Sequence, residues 1–296
     1  MVINMHRIET ICSYLLLACL FLFGRPVSDS VRLSLEIWWN TLLPGMFIPM
    51  ILIRFIQARQ GFANLYSRIF NRCFAMTNNA FAYFMCAILL GFPSGSLFLD
   101  DAYAHHLLNQ QGAKRLLLCC CFPTPGFVIL TLGSLYHDAS IGWRLYLIQL
   151  ASGCLLLLFT RFIPVEANKS PTTVPPFFDA LSQVIMQSAK AMLMIGIYLL
   201  LFLAILSILQ LLLPTSLQLP LQLVSEFSSG ILSAAKLPIS LQAKLILTSA
   251  LLSFGGFCVH LQILSSLRAI RVRYSLFFLF RILQAIIALS FSFFLF

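Results

Sequence analysis

Few residues in this 296-residue chain can do chemistry, and most of those stand beside long apolar runs. Glu226 follows a charge-free window from 191 to 225 and opens the run Glu226-Phe227-Ser228-Ser229-Gly230. A carboxylate is costly to bury in lipid, and ionisable groups retained within a membrane are usually functional. Glu226 is therefore a candidate for proton coupling; the alternative is an interfacial glutamate that caps the following helix. The first half carries a similar run, Gly91-Phe92-Pro93-Ser94-Gly95-Ser96, followed by Asp100, Asp101, His105 and His106. On a helix, Asp100 and Asp101 lie within about 10 Å of that run, which makes them further candidates for carrying a proton. Asp101 and His105 also have the i,i+4 spacing of a side-chain pair. The alternative is an arm that surfaces quickly and leaves these groups in water.

Two more apolar segments are interrupted. Phe122-Pro123-Thr124-Pro125-Gly126 must break any helix through 114–135, leaving the carbonyls of Cys119 to Phe122 to be met by water or solute. Gly255-Gly256 thins a second helix, and His260 and Gln262 add donors and acceptors just beyond it. Irregular backbone at membrane depth is tolerated only against protein or a water-filled cavity. The candidate solute-binding set is thus Gly91, Pro93, Ser94, Gly95, Ser96, Thr124, Gly126, Ser228, Ser229, Gly230, Gly255, Gly256, His260 and Gln262. A helix starting at Ser94 would aim free N–H groups and a partial positive charge at a bound anion. No nucleophile–base pair and no zinc-type Cys/His spacing occurs, and a metal at Asp101, His105 and His106 is only the minor alternative, so the chain is not expected to be an enzyme or to hold a metal or cofactor. Of nine cysteines, Cys119, Cys120 and Cys121 are adjacent and none forms C-x-x-C, which fits small lipophilic core residues.

Composition fixes where such segments must sit. Hydrophobic residues make up 60% and charged residues 9%, against roughly 45–50% and 25% in soluble domains. A soluble fold of this size would have a greasy exterior, so a soluble enzyme, a coiled coil and a disordered chain are excluded. Charge-free windows at 10–24, 37–53, 73–99, 116–137, 145–160, 191–225, 245–267 and 282–296 suit spanning helices of about 20 residues. No alternating ten-residue pattern indicates a membrane barrel. Residues 8–24 follow Arg7 like a signal peptide, but without an A-x-A-like site they read as a first helix.

The net charge of +10 is read as topology and not as nucleic-acid binding. With the N-terminus inside and the C-terminus outside, twelve basic residues lie inside: Arg7, Arg54, Arg59, Arg68, Arg72, Lys114, Arg115, Arg161, Lys169, Arg268, Arg271 and Arg273. Four lie outside, namely Arg25, Arg32, Lys236 and Lys244, while Arg144, Lys190 and Arg281 fall near or within spans. The proline-rich segment 164–176 reads as a cytoplasmic linker between halves. Ala113-Lys114 to Gly126-Phe127 echoes Ala243-Lys244 to Gly256-Phe257 at an offset of 130, and Phe92-Pro93-Ser94-Gly95 echoes Phe227-Ser228-Ser229-Gly230. The expected fold is all-α and polytopic, with about six spanning helices plus two re-entrant hairpins in two inverted repeats. Residues 1–32 form an N-terminal helix, 33–163 the first repeat and 177–296 the second. Inverted repeats with broken helices are the architecture of alternating-access carriers, with the site near the midplane. The expected partners are the lipid bilayer and a small solute, and a homo-oligomer is left open. The competing expectation is a scaffold in which the tips pack dryly.

On Trp38-Trp39 with Leu43-Pro44, Gly91-Phe92-Pro93-Ser94-Gly95, Glu226 with Gly230, and Ser253-Phe254-Gly255-Gly256-Phe257-Cys258-Val259-His260-Leu261-Gln262, the chain resembles the YlbJ-type sporulation integral membrane proteins. These are grouped with nucleoside-recognition "Gate" proteins, distantly similar to concentrative nucleoside transporters. The resemblance covers roughly 35–290. It departs at Leu97, where the family often has a basic residue, and at Pro123-Thr124-Pro125, where it often has asparagine. The resemblance implies a transporter-like fold in the bacterial cell or forespore membrane and a role in spore formation. It further implies dipicolinate, a small aromatic dicarboxylate, as solute; a nucleoside-type carrier is the alternative.

Overall fold

A computed structural model describes residues 5–62, 68–168 and 174–296. The protein is a polytopic α-helical membrane protein, with no strand longer than an isolated bridge among the described residues. The helices are α1 (Met5–Leu22), α2 (Gly24–Ile37), α3 (Leu43–Ala58), α4 (Arg68–Phe74), α5 (Asn78–Leu90), α6 (Ser94–Ala104), α7 (Gln110–Cys119) and α8 (Gly133–Leu135). They continue with α9 (Ala139–Phe159), α10 (Phe177–Leu212), α11 (Thr215–Ser225), α12 (Phe227–Ala235), α13 (Leu241–Phe254), α14 (Gly256–Ser266) and α15 (Tyr274–Leu295). Wider π-helical turns at Trp38–Leu42 and Gly126–Leu132 join α2 to α3 and lead into α8.

Among the described residues, five stretches are long and apolar enough to cross a membrane: Gly24–Ala58, Ala139–Phe159, Phe177–Leu212, Leu241–Ser266 and Tyr274–Leu295. One expectation is corrected here. The turn anticipated between spans at 10–24 and 37–53 is absent, because α2 continues through the π-turn into α3 as one 35-residue helix. At 1.5 Å per residue that is about 52 Å, well beyond a hydrocarbon core of about 30 Å. Its polar first turns (Arg25, Asp29, Arg32, Glu36) belong to this helix, and the expected boundary at 32 falls inside it. The side chain of Arg7, and Lys169, lie outside the described side chains and residues.

The two halves have the same order of parts: a long helix, a two-helix hairpin, an interrupted helix and a final span. The long helices α2–α3 and α10 pack together and run antiparallel. Arg59 donates to the Pro175 carbonyl at 2.6 Å at one end, and Trp38 Nε1 donates to the Met192 carbonyl at 2.9 Å further along. Gly196 leaves the space that the Trp38 ring fills, since a Cβ there would stand 2.8 Å from its Nε1.

The interrupted helices of both halves are held by polar contacts to α9 and the chain around it. In α7, Arg115 is buried, and its guanidinium donates to Thr160 Oγ1 (3.0 Å) and to the carbonyls of Phe74 (2.7 Å), Ile163 (2.7 Å) and Leu157 (2.6 Å). In α13, Ser253 donates to Gln149 Oε1 of α9 at 2.7 Å, and Gln149 donates back to the Ser249 carbonyl at 3.2 Å. In hydrocarbon these polar contacts have no competition from water, so small polar residues can act as interhelical glue.

The first part of the expected linker is stitched to the base of the first hairpin. Val165 N–H donates to the Ala75 carbonyl (3.0 Å), Thr77 N–H to the Val165 carbonyl (2.9 Å) and Asn109 N–H to the Glu166 carbonyl (3.0 Å). The chain just before α5 and the chain just after α6 are thereby clamped by one segment.

Candidate functional site

Each hairpin is closed by a glycine that lets the second helix lie on the carbonyls of the first. A Cβ at Gly95 would press on the Ala87 carbonyl, 2.5 Å away, and one at Gly230 on the Leu223 carbonyl, 2.8 Å away. The turn of the first hairpin depends on Gly91, whose backbone (φ 58°, ψ −178°) is essentially restricted to glycine. Gly91 also sits directly against the backbone of Thr124, so the tip is seated on the break in the first interrupted helix. Phe92 N–H donates to the Phe122 carbonyl at 3.0 Å.

The second tip repeats this seating. Glu226 is 3% exposed and caps α12, its two carboxylate oxygens accepting from Ser228 N–H (3.0 Å) and Ser229 N–H (2.6 Å). Gly256, with φ 74°, lies against the backbone of Glu226 and Phe227, at the break of the second interrupted helix. Glu226 thus caps a helix, as the alternative expected, but from a buried position and not an interfacial one. Ser229 Oγ is buried without a hydrogen-bond partner.

The two tips meet. The rings of Phe92 and Phe227 pack edge to face with centroids 5.1 Å apart, and Phe127 adds a third ring 5.0 Å from Phe227. Beside them lies a cavity of about 20 Å³ whose walls include Pro93, Glu226, Ser228 and Gln262. It has room for a single water.

A larger vestibule of about 410 Å³ reaches the same place from outside, sharing Pro93, Ile195 and Gln262 with the small cavity. Arg54, Lys190, Arg268, Asp100 and Asp101 line it, and an adjoining lobe of about 370 Å³ shares Arg54 and Asp101. Arg54 is half-buried, its Nη1 donating to Gln187 at 3.2 Å while Nε has no partner. Three cations stand against two acids, and one of these, Asp100, is already met by backbone N–H groups, so the vestibule keeps a small excess of positive charge that favours anions.

Of the residues singled out in the sequence, Pro93, Glu226, Ser228 and Gln262 line the small cavity at the tips. Gly91, Gly95, Gly126, Gly230 and Gly256 act instead through close backbone approach; a Cβ at Gly126 would collide with the Gly45 carbonyl. Gly255, in the left-handed region at φ 82°, ends α13. Ser94 donates to Met50 Sδ at 3.4 Å, Ser96 bonds Cys121, and Thr124 Oγ1 accepts from Phe127 N–H at 3.2 Å.

His260 is directed away from the tips. Its Nε2 lies 2.8 Å from the Phe254 carbonyl, which the glycine break has freed, and Phe254, Phe257, Phe277 and Phe278 surround the ring. Nε2 is thus satisfied as in a core histidine, while Nδ1 has no hydrogen-bond partner among the described residues. Asp101 and His105 do not pair through side chains, since His105 Nδ1 lies 2.8 Å from the Asp101 backbone carbonyl.

Asp100 is fully engaged. Its carboxylate accepts from the N–H groups of Arg268 (2.8 Å), Ala269 (3.0 Å) and Ile270 (2.6 Å), pinning the loop between α14 and α15 to the first hairpin. Asp100→Asn replaces one acceptor oxygen by a donor. The expected cost is about 1–3 kcal/mol, with faster amide exchange confined to 267–273. Unchanged exchange there would remove the clamp role.

Sequence reasoning missed Arg54, Lys190 and Arg268 as a group, because they come from three segments distant in sequence. It also left the carbonyls of Cys119 to Phe122 to water or solute. The structure corrects this: Phe92 N–H takes the Phe122 carbonyl and the Arg281 guanidinium takes those of Leu118 and Cys121. Among the described residues no three His, Cys, Asp or Glu side chains converge as metal ligands.

Fold and site together define a multi-pass helical membrane protein in which two helical hairpins, one from each half, face each other across interrupted helices. Compared with known proteins, the chain is similar to the sporulation integral membrane protein YlbJ of Bacillus subtilis (strain 168), at 24% identity over a 344-residue alignment covering 97% of this chain and 83% of YlbJ. That likeness along nearly the whole chain supports the YlbJ-type resemblance carried by the motifs. No family model matches the chain, and no solved structure matches it.

Proposed function

We propose that this protein is a carrier that moves a small anion across a membrane by alternating access, in a spore-forming bacterium and in the service of spore formation. The observation that carries the reading is the meeting of the two hairpin tips beside buried Glu226, at the blind end of a vestibule lined by Arg54, Lys190 and Arg268. A volume of about 410 Å³ suits a small-molecule site. The closed aromatic contact between the tips is then one end state, with the vestibule open to the side that the arginine distribution marks as the inside. Movement of one hairpin would carry Glu226, Ser228 and Gln262 from contact with one side to contact with the other.

For the solute, the family resemblance favours dipicolinate, and the excess of cations in the vestibule agrees with a dicarboxylate. The sporulation role is carried over from the name of the similar Bacillus protein, and the proposed location, the cell or forespore membrane, goes with it.

The second reading, a scaffold without transport, draws on the same tip. Phe92, Phe127 and Phe227 pack closely and leave only about 20 Å³. Uptake into proteoliposomes separates the two. Dipicolinate is expected to enter faster than into empty liposomes, and more slowly once Arg54→Gln removes a vestibule cation. If neither dipicolinate nor nucleosides move faster than in empty liposomes, the scaffold reading stands.

A further inference from the structure

Arg281 is the largest fully buried side chain among the described residues, 1% exposed in the middle of α15. Among the described residues no carboxylate pairs with it. Its Nη2 donates to the Leu118 carbonyl and its Nη1 to the Cys121 carbonyl, with the Ser253 carbonyl 3.5 Å away. The Phe277 ring, one turn earlier, lies with its centroid 5.5 Å from the guanidinium carbon.

The origin of these oxygens matters. Leu118 is in the last turn of α7, and Cys121 follows its end, in the first interrupted helix. Ser253 is in the last turn of α13, in the second. The negative ends of two half-helices therefore converge on one guanidinium. Each helix C-terminus carries roughly half a negative charge, so two of them offset about one positive charge. In carriers with interrupted helices, carbonyls and half-helix C-termini arranged in this way coordinate the coupling cation.

We propose that the Arg281 guanidinium is a resident cation filling the carbonyl cage formed by the two helix breaks, so that no Na⁺ is taken up at that position. Tethered to α15, it ties the interrupted helices of both halves to the same span. The occupancy stands on the geometry of the cage. Its consequence, that solute movement needs no Na⁺ there, rests on the carrier reading; the test below reads only the cage, so it can fail or succeed independently of transport.

The full chain is purified in detergent and its thermal unfolding followed at constant ionic strength, with sodium, potassium or choline chloride. The wild-type midpoint is expected to be the same in all three. Arg281→Ala empties the cage and exposes hard oxygen ligands. Its midpoint should fall, then rise saturably with millimolar guanidinium or with Na⁺ but not with choline, as binding to the native state alone requires. Arg281→Lys keeps a charge in the cage and should remain indifferent to Na⁺. A Na⁺-specific rise of the wild-type or Arg281→Lys midpoint overturns the proposal. So does an Arg281→Ala protein that folds but responds to neither cation. If Arg281→Ala does not fold, the wild-type and Arg281→Lys titrations decide alone, indifference to Na⁺ supporting the filled cage.

Discussion

Glu226→Gln is expected to abolish pH-driven accumulation of solute in proteoliposomes while leaving the protein folded and inserted. Glutamine keeps the size of the side chain and one of the two acceptor oxygens that cap α12 at Ser228 and Ser229. It loses the second acceptor and the negative charge at a helix N-terminus, together a modest penalty of about 1–2 kcal/mol. What it cannot do is titrate, and Glu226 is the carboxylate at the meeting point of the two hairpins. A drop in accumulation of about tenfold or more, equivalent to ~1.4 kcal/mol or above, with a flat pH profile, is the expected result. Transport by Glu226→Gln at the wild-type rate and pH profile would leave Glu226 as a cap only. Coupling would then pass to Asp101, which lines the vestibule, since Asp100 already serves three backbone N–H groups.

Gly91→Ala is expected to be the most destabilising single methyl in the molecule. The backbone at Gly91 costs a non-glycine residue about 1–3 kcal/mol. The added Cβ also strikes the backbone of Thr124 and Pro123, which cannot turn aside as a side chain could. Forced repacking of that kind adds roughly 1–3 kcal/mol. Against a total stability of about 5–15 kcal/mol, the first hairpin should no longer seat on the break beside it. Melting of the detergent-purified protein, with the monodisperse fraction on gel filtration, measures this. Gly24→Ala is the control, because a Cβ there meets nothing within 4 Å. Equal melting of Gly91→Ala and wild type would show that the tip is not held as described.

The repeated plan explains why both effects centre on the tips. Each half seats its hairpin on its own helix break, Gly91 on Thr124 and Glu226–Phe227 on Gly256, and the halves then touch through Phe92 and Phe227. The backbone polar groups released by one irregular segment are met by another, as a membrane interior demands. Arg115 and Arg281 extend this principle with side chains, delivering donors to carbonyls that no helix can satisfy.

How much of this was legible from the residues alone follows from how local each cause is. Apolar composition and window length fix a helical membrane bundle, because a helix in lipid must be about 20 apolar residues long whatever surrounds it. Glycine and proline mark the breaks at 91–95, 122–126 and 255–256, because their backbone preferences act within a few residues. The burial of Glu226 was legible as well, from a carboxylate standing at the end of a long uncharged window. The helix through 24–58 was not, since Arg25, Asp29, Arg32 and Glu36 separate two charge-free windows, and only packing along α10 reveals one continuous helix. Nor was the fate of His260, whose ring is enclosed in part by Phe277 and Phe278 of α15, or of Asp100, spent on a loop some 168 residues away. The vestibule cations and the Arg281 cage depend on which faces of distant helices meet. That is set by side-chain packing between segments and leaves no periodic trace in any one of them.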